Sequence, residues 1–110
     1  MTLAYIEVME IRWEQVDAHY IATRSQRYPG ALDIDVEWTC EALRDVDVKE
    51  ANPDPKGLRG DTIRYVGYSP SAGRVLVVIA AVEDGVLYGH NAWPATGGDL
   101  RWYESEDDDD

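Results

Sequence analysis

Apolar and polar positions along the chain change period several times, and each change marks a predicted element. Leu3 to Trp13 alternates imperfectly among β-branched and aromatic residues, which predicts a strand best supported over Met9 to Trp13. Glu14 to Thr23 sets Val16 and Tyr20, and also Ala18 and Ala22, at helical spacing before Tyr28, Pro29 and Gly30 turn the chain. A second helix is predicted from a cap at Asp33 or Asp35 to about Arg44, because Ile34, Trp38 and Ala42 join Val36, Cys40 and Leu43 in one broad apolar face. Val46 to Ala51 reads as a strand, ended by Asn52, Pro53, Asp54 and Pro55, where proline has no N–H to give a ladder. Thr62 to Ser69 alternates, with Ile63 and Tyr65 on one side and Arg64, Val66 and Tyr68 on the other. After a turn at Pro70 to Gly73, Arg74 to Val82 is almost wholly apolar, the pattern of a sheet centre. Asp84 and Gly85 signal a tight hairpin into Val86 to Trp93, and Gly97 and Gly98 open a brief terminal helix with Leu100, Trp102 and Tyr103. The predicted fold class is α+β: an N-terminal strand and two helices packed on a mainly antiparallel sheet.

Composition narrows this picture. A chain of 110 residues is one domain with room for a single modest core. Four Trp, seven Tyr and no Phe mean that every aromatic ring carries a polar handle. Residues 104 to 110 hold six of the 22 acids, half of the net charge of −12, so the expected layout is a domain over 1–103 and a disordered acidic tail over 104–110. The overall field repels a free polyanion. Against that background Lys56, Arg59, Arg64 and Arg74 share the stretch from 56 to 82 with one acid, Asp61. The lone Cys40 excludes an internal disulfide and a Cys-rich metal site, and residues 1 to 30 hold neither a long apolar run nor a signal pattern, so a cytoplasmic protein without a membrane segment is expected. Ser69 and Ser71 lack a nucleophile-elbow setting, the glycines lack phosphate-loop spacing and the two His stand far apart, so no metal and no cofactor are expected.

Ordered motifs over residues 9 to 103 resemble the BrnT-type toxins of bacterial toxin–antitoxin modules, within the RelE-like ribonuclease group. The resemblance is carried by Ile11, Arg12 and Trp13; by Val36, Glu37, Trp38 and Glu41; by Ile63 to Ser69; by Gly73 to Val78; and by Ala92, Ala95, Thr96, Asp99 and Tyr103. Two departures stand beside it. Trp93 and Pro94 replace the family's usual basic residues, and the Lys-His-Gly turn of the first helical region is absent.

The resemblance implies a RelE-like fold, a type II toxin that blocks translation and growth, and a ribbon-helix-helix antitoxin through which alone the complex meets DNA. The implied activity is metal-free RNA cleavage, on or off the ribosome: the ribose 2′-hydroxyl attacks the adjacent phosphorus while the protein supplies a proton acceptor, a proton donor and cations. Arg64 and Arg74 are the first candidates for those cations, since both lie near the ends of adjacent predicted strands and share one open face if register allows. The competing expectation is that they pair with Asp61 or Glu83. His90 is the candidate acid or base, and Lys56 and Arg59 the candidate RNA-binding residues of the intervening loop. His19 and Glu50 have weaker claims. In this reading Arg64→Ala and Arg74→Ala abolish toxicity without unfolding the protein. The alternative function is a non-catalytic acidic protein of the same fold that occupies a basic protein surface.

Overall fold

The computed structural model describes residues Glu10 to Glu106. The predicted strand residues before Glu10, and the acids from Asp107 onward, lie outside this range. The fold is α+β: β1 (Ile11–Arg12), α1 (Gln15–Ala22), α2 (Arg24–Arg27), α3 (Val36–Arg44), β2 (Lys49–Ala51), β3 (Ile63–Ser69), β4 (Arg74–Glu83), β5 (Val86–Pro94) and α4 (Gly97–Glu104). The five strands form one sheet in the order β1-β5-β4-β3-β2. All neighbours are antiparallel except β1 and β5, whose parallel pairing joins Ile11 to Leu87 and Arg12 to Tyr88.

The apolar β4 takes the centre, as its composition predicts. Its side chains alternate between two cores. Leu76, Val78 and Ala80 join Ile63, Tyr65, Leu87 and Ala92 against Ile21, Ile34 and Ala42 from the α1 and α3 region. Val77 and Ile79 join Val66 and Ala95 on the opposite face, where Leu100, Trp102 and Tyr103 of α4 pack. Both faces are therefore covered, which explains why β4 lacks the alternation of a strand with one wet side.

Local chemistry sets the boundaries. Asp35 caps α3 by accepting the Glu37 N–H at 2.9 Å. Asp84 and Gly85 turn β4 into β5 with φ of 53° and 78°, the doubly positive geometry that suits the twist of a two-residue hairpin. The sequence pattern misses the one-turn α2, which follows α1 after Thr23 returns its hydroxyl to the His19 carbonyl at 2.8 Å.

Helix α3 lies against the β3–β4 hairpin at almost zero clearance. A Cβ on Gly67 would run into the Ala42 backbone carbonyl, so only glycine admits the helix there. Glu41, one residue earlier, accepts the Ser69 hydroxyl at 2.7 Å, the Ser71 N–H at 2.9 Å and the Ser71 hydroxyl at 2.6 Å. These bonds, led by the Ser71 hydroxyl, hold the Glu41 carboxyl below its ordinary value. Gly67→Ala is expected to cost about 1–3 kcal/mol, because the new methyl meets backbone rather than a movable side chain. Urea unfolding measures it, and a variant as stable as the parent would show that α3 is not seated as described.

Candidate functional site

Arg64 points from β3 into the face covered by α4, and only 6% of its surface is exposed. Its Nε donates to Asp54 Oδ1 at 2.8 Å, and its Nη1 reaches the two Asp99 oxygens at 3.2 and 3.1 Å. The expected competitors Asp61 and Glu83 are not its partners. Asp54 sits in the loop after β2, fixed by the Thr62 carbonyl accepting its N–H at 2.7 Å, and Asp99 belongs to the first turn of α4. Burial pushes the Asp54 carboxyl up. The Arg64 hydrogen bond, the Lys56 backbone N–H and the Arg64 and Lys56 charges outweigh burial and leave it below its ordinary value.

Register decides whether the predicted cations can cooperate. Arg64 stands opposite Ile79, while Arg74 stands opposite Ser69 at the far end of the same strand pair. Five residues separate the two positions, roughly 17 Å along the strands, and an odd separation sends the side chains to opposite faces. Arg64 and Arg74 therefore do not share an open face. Arg59 makes an exposed pair with Asp61 at 2.8 Å, and Lys56 is exposed on the same loop. His90 occupies the irregularity between β4 and β5, where Ile79 pairs with Asn91 and Ala80 with Gly89. Its Nε2 is buried and has no hydrogen-bond partner among the described residues. Arg74 thus does not meet Arg64 on one reacting centre, and Arg59 is taken up by Asp61.

Different cations do converge. Tyr20, Arg24, Arg27 and Tyr28 of the α1–α2 region face Asn91 and Trp93 of β5 across a cleft of about 290 Å³. Among the described residues no carboxylate lines it. The Arg27 guanidinium lies 3.7 Å from the Tyr20 ring centroid, with Tyr28 at 5.8 Å from both Arg24 and Arg27. Backbone carbonyls fix these cations: Arg24 Nη1 donates to Leu32 at 3.0 Å and Arg27 Nη2 to Tyr20 at 2.6 Å. Among the described residues neither forms an ion pair. The nearby Asp33 carboxylate is engaged by the Ser25 N–H at 2.7 Å and hydroxyl at 3.1 Å; these bonds, more than the charges of Arg24 and Arg27, lower its pKa.

The chain matches no protein-family model and no curated protein.

Trp93 links the two charged clusters. Its ring borders the cleft, and the Arg64 guanidinium sits 5.6 Å from the ring centroid. Arg64 thus touches the cleft wall through Trp93 and does not itself line the cleft. A larger hollow of about 620 Å³ opens near the β4–β5 turn, lined by Glu10, Arg12, Glu50 and Tyr65 among others. Burial, with the Glu50 charge adding to it, raises the Tyr65 hydroxyl to about 12. Among the described residues no group of three or more His, Cys, Asp or Glu side chains could hold a metal ion, and no helix is long and apolar enough to cross a membrane.

Arg24 and Arg27 have a sequence signature that the pattern reading passes over. Tyr20, Arg24, Arg27 and Tyr28 fall at intervals of four, three and one, which brings two rings and two guanidiniums to one side of a helical turn. The Tyr-Pro-Gly turn draws attention away from them.

Arg64→Ala is expected to destabilise the protein by about 3 kcal/mol, since it strands the buried Asp54 and frees Asp99. Urea unfolding at neutral pH measures it; a loss below about 1 kcal/mol would remove the buried cluster from the account. Asp54 also gives the pH dependence its sign. A carboxyl with a lowered folded pKa stabilises the fold above its unfolded value near 4, and that stability is lost as pH falls through the folded value. Stability should therefore decline below about pH 4, and Asp54→Asn should flatten the decline.

Proposed function

We propose that this protein is a BrnT-like toxin of a type II toxin–antitoxin module, one that engages single-stranded RNA in the cleft between α1–α2 and β5. The observation that carries the reading is the pair Arg24 and Arg27, free of carboxylate partners among the described residues and bordered by Tyr20, Tyr28 and Trp93. Guanidiniums hold phosphate oxygens through paired N–H donors, and aromatic rings accept unstacked bases on their faces. The cleft therefore presents a local cationic surface on a protein whose net charge is −12.

In this reading Arg24 and Arg27 take the phosphate-holding role first assigned to Arg64 and Arg74. Cleavage follows the metal-free course: the ribose 2′-oxygen bonds to phosphorus as the bond to the 5′-oxygen breaks, one proton leaving the nucleophile and another reaching the leaving group. His90, next to Asn91 in the strand irregularity, is the imidazole nearest in sequence to the β5 side of the cleft and the candidate for that exchange. A ribbon-helix-helix antitoxin completes the module. Its basic segments would meet an acidic body, which raises encounter rates and selects against acidic partners.

A second reading, an acidic binding protein without catalysis, is favoured by the separation of Arg64 from Arg74 and by the Glu10 and Glu50 carboxylates of the larger hollow. The two readings separate in one experiment. A labelled single-stranded RNA is titrated with the parent and with Arg24→Gln/Arg27→Gln at several salt concentrations, alongside growth after induction of each protein. The toxin reading expects salt-sensitive binding whose log–log slope falls by about 1.4 in the double variant, and growth arrest by the parent alone. Absence of RNA binding at low salt, with no arrest, would select the acidic binder.

A further inference from the structure

Beyond holding RNA, the cleft is rich in hydrogen-bond donors. Asn91 Oδ1 accepts the Ala92 N–H at 2.9 Å, which commits one of its lone pairs and orients the amide, and its Nδ2 donors have no partner among the described residues. Arg24 has committed one N–H of its guanidinium to Leu32, and Arg27 has committed groups to Tyr20 and Thr23. Each guanidinium carries five N–H groups, so the remainder are donors as well. The Tyr20 and Tyr28 hydroxyls rotate to donate or accept and do not discriminate. Among the described residues no carboxylate, the strongest fixed acceptor, lines the cleft.

We infer that the cleft is a keto-base site, which selects guanine or uracil over adenine or cytosine in single-stranded RNA. The inference rests on the RNA reading above and names the substrate class within it. A 6-oxo or 4-oxo group accepts from Asn91 Nδ2 or a guanidinium while the base stacks beside Tyr20, Tyr28 or Trp93. A 6-amino or 4-amino group in the same place sets donor against donor, so both groups lose their water without gaining a partner. The rings contribute affinity for any base, and the donors contribute the difference. A volume of about 290 Å³ suits one base rather than a helix.

The test uses the full chain and two labelled, unstructured octamers, (GU)4 and (CA)4, with binding followed by fluorescence anisotropy at low salt. The parent is expected to bind (GU)4 at least about fivefold more tightly, the lower end for a buried polar group left unpaired. Asn91→Ala is expected to narrow that gap by weakening (GU)4, and Asn91→Ser, a smaller polar replacement, guards against a folding artefact, with circular dichroism confirming both folds. Equal affinity of the parent for the two octamers overturns the keto-base inference and leaves the RNA reading standing. Failure to bind either octamer overturns both.

Discussion

A guanidinium taken out of water needs its counter-charge inside the protein, and Arg64 has two. Asp54 comes from the loop after β2 and Asp99 from α4, so one buried cation ties a loop and a helix to the start of β3. Removing the three charged groups from water costs several kcal/mol for each, and only close, well-aligned hydrogen bonds repay it. That requirement restricts the geometry of everything attached. The loop must return at Thr62 to seat Asp54, α4 must begin near Thr96 to deliver Asp99, and Trp93 is left beside the guanidinium. The cleft is thus built beside a charge cluster that does not itself line it.

Several residues that carry the resemblance make hydrogen bonds between elements, in two cases with one another. Trp13 donates to Thr39, Glu41 receives Ser69, Arg64 meets Asp99, and Tyr103 donates to Asp45. These contacts fasten elements to one another and involve no chemistry performed on a substrate. A motif of this kind supports an expectation of architecture more strongly than one of activity.

The fold was largely legible because periodicity records burial. The apolar run of β4, the Asp84-Gly85 turn and the one-sided α3 each follow from short-range rules, and tertiary packing did not override them. The parallel partner of β1 was not legible, since nothing within two residues specifies which edge they join. The site was read less well. Arg64 looked like a free cation because its two counter-charges lie 10 and 35 residues away, and the separation of Arg64 from Arg74 depends on a register fixed only when the hairpin closes. Arg24 and Arg27 gain their meaning from β5, some 64 residues beyond Arg27 at Asn91, a distance over which sequence spacing carries no information.

Asp45 has a role beyond the end of α3. Its Oδ2 accepts the Tyr68 backbone N–H at 2.7 Å on β3, past the last residue that β2 pairs. A side chain thus takes a position that a further strand would need, while β2 itself offers only three residues and β1, among the described residues, only two. Sheet edges with unspent amides invite copies of the same protein to add on and grow into fibrous aggregates. By plugging one such amide with a carboxylate beside a three-residue β2, the chain guards that edge against self-assembly.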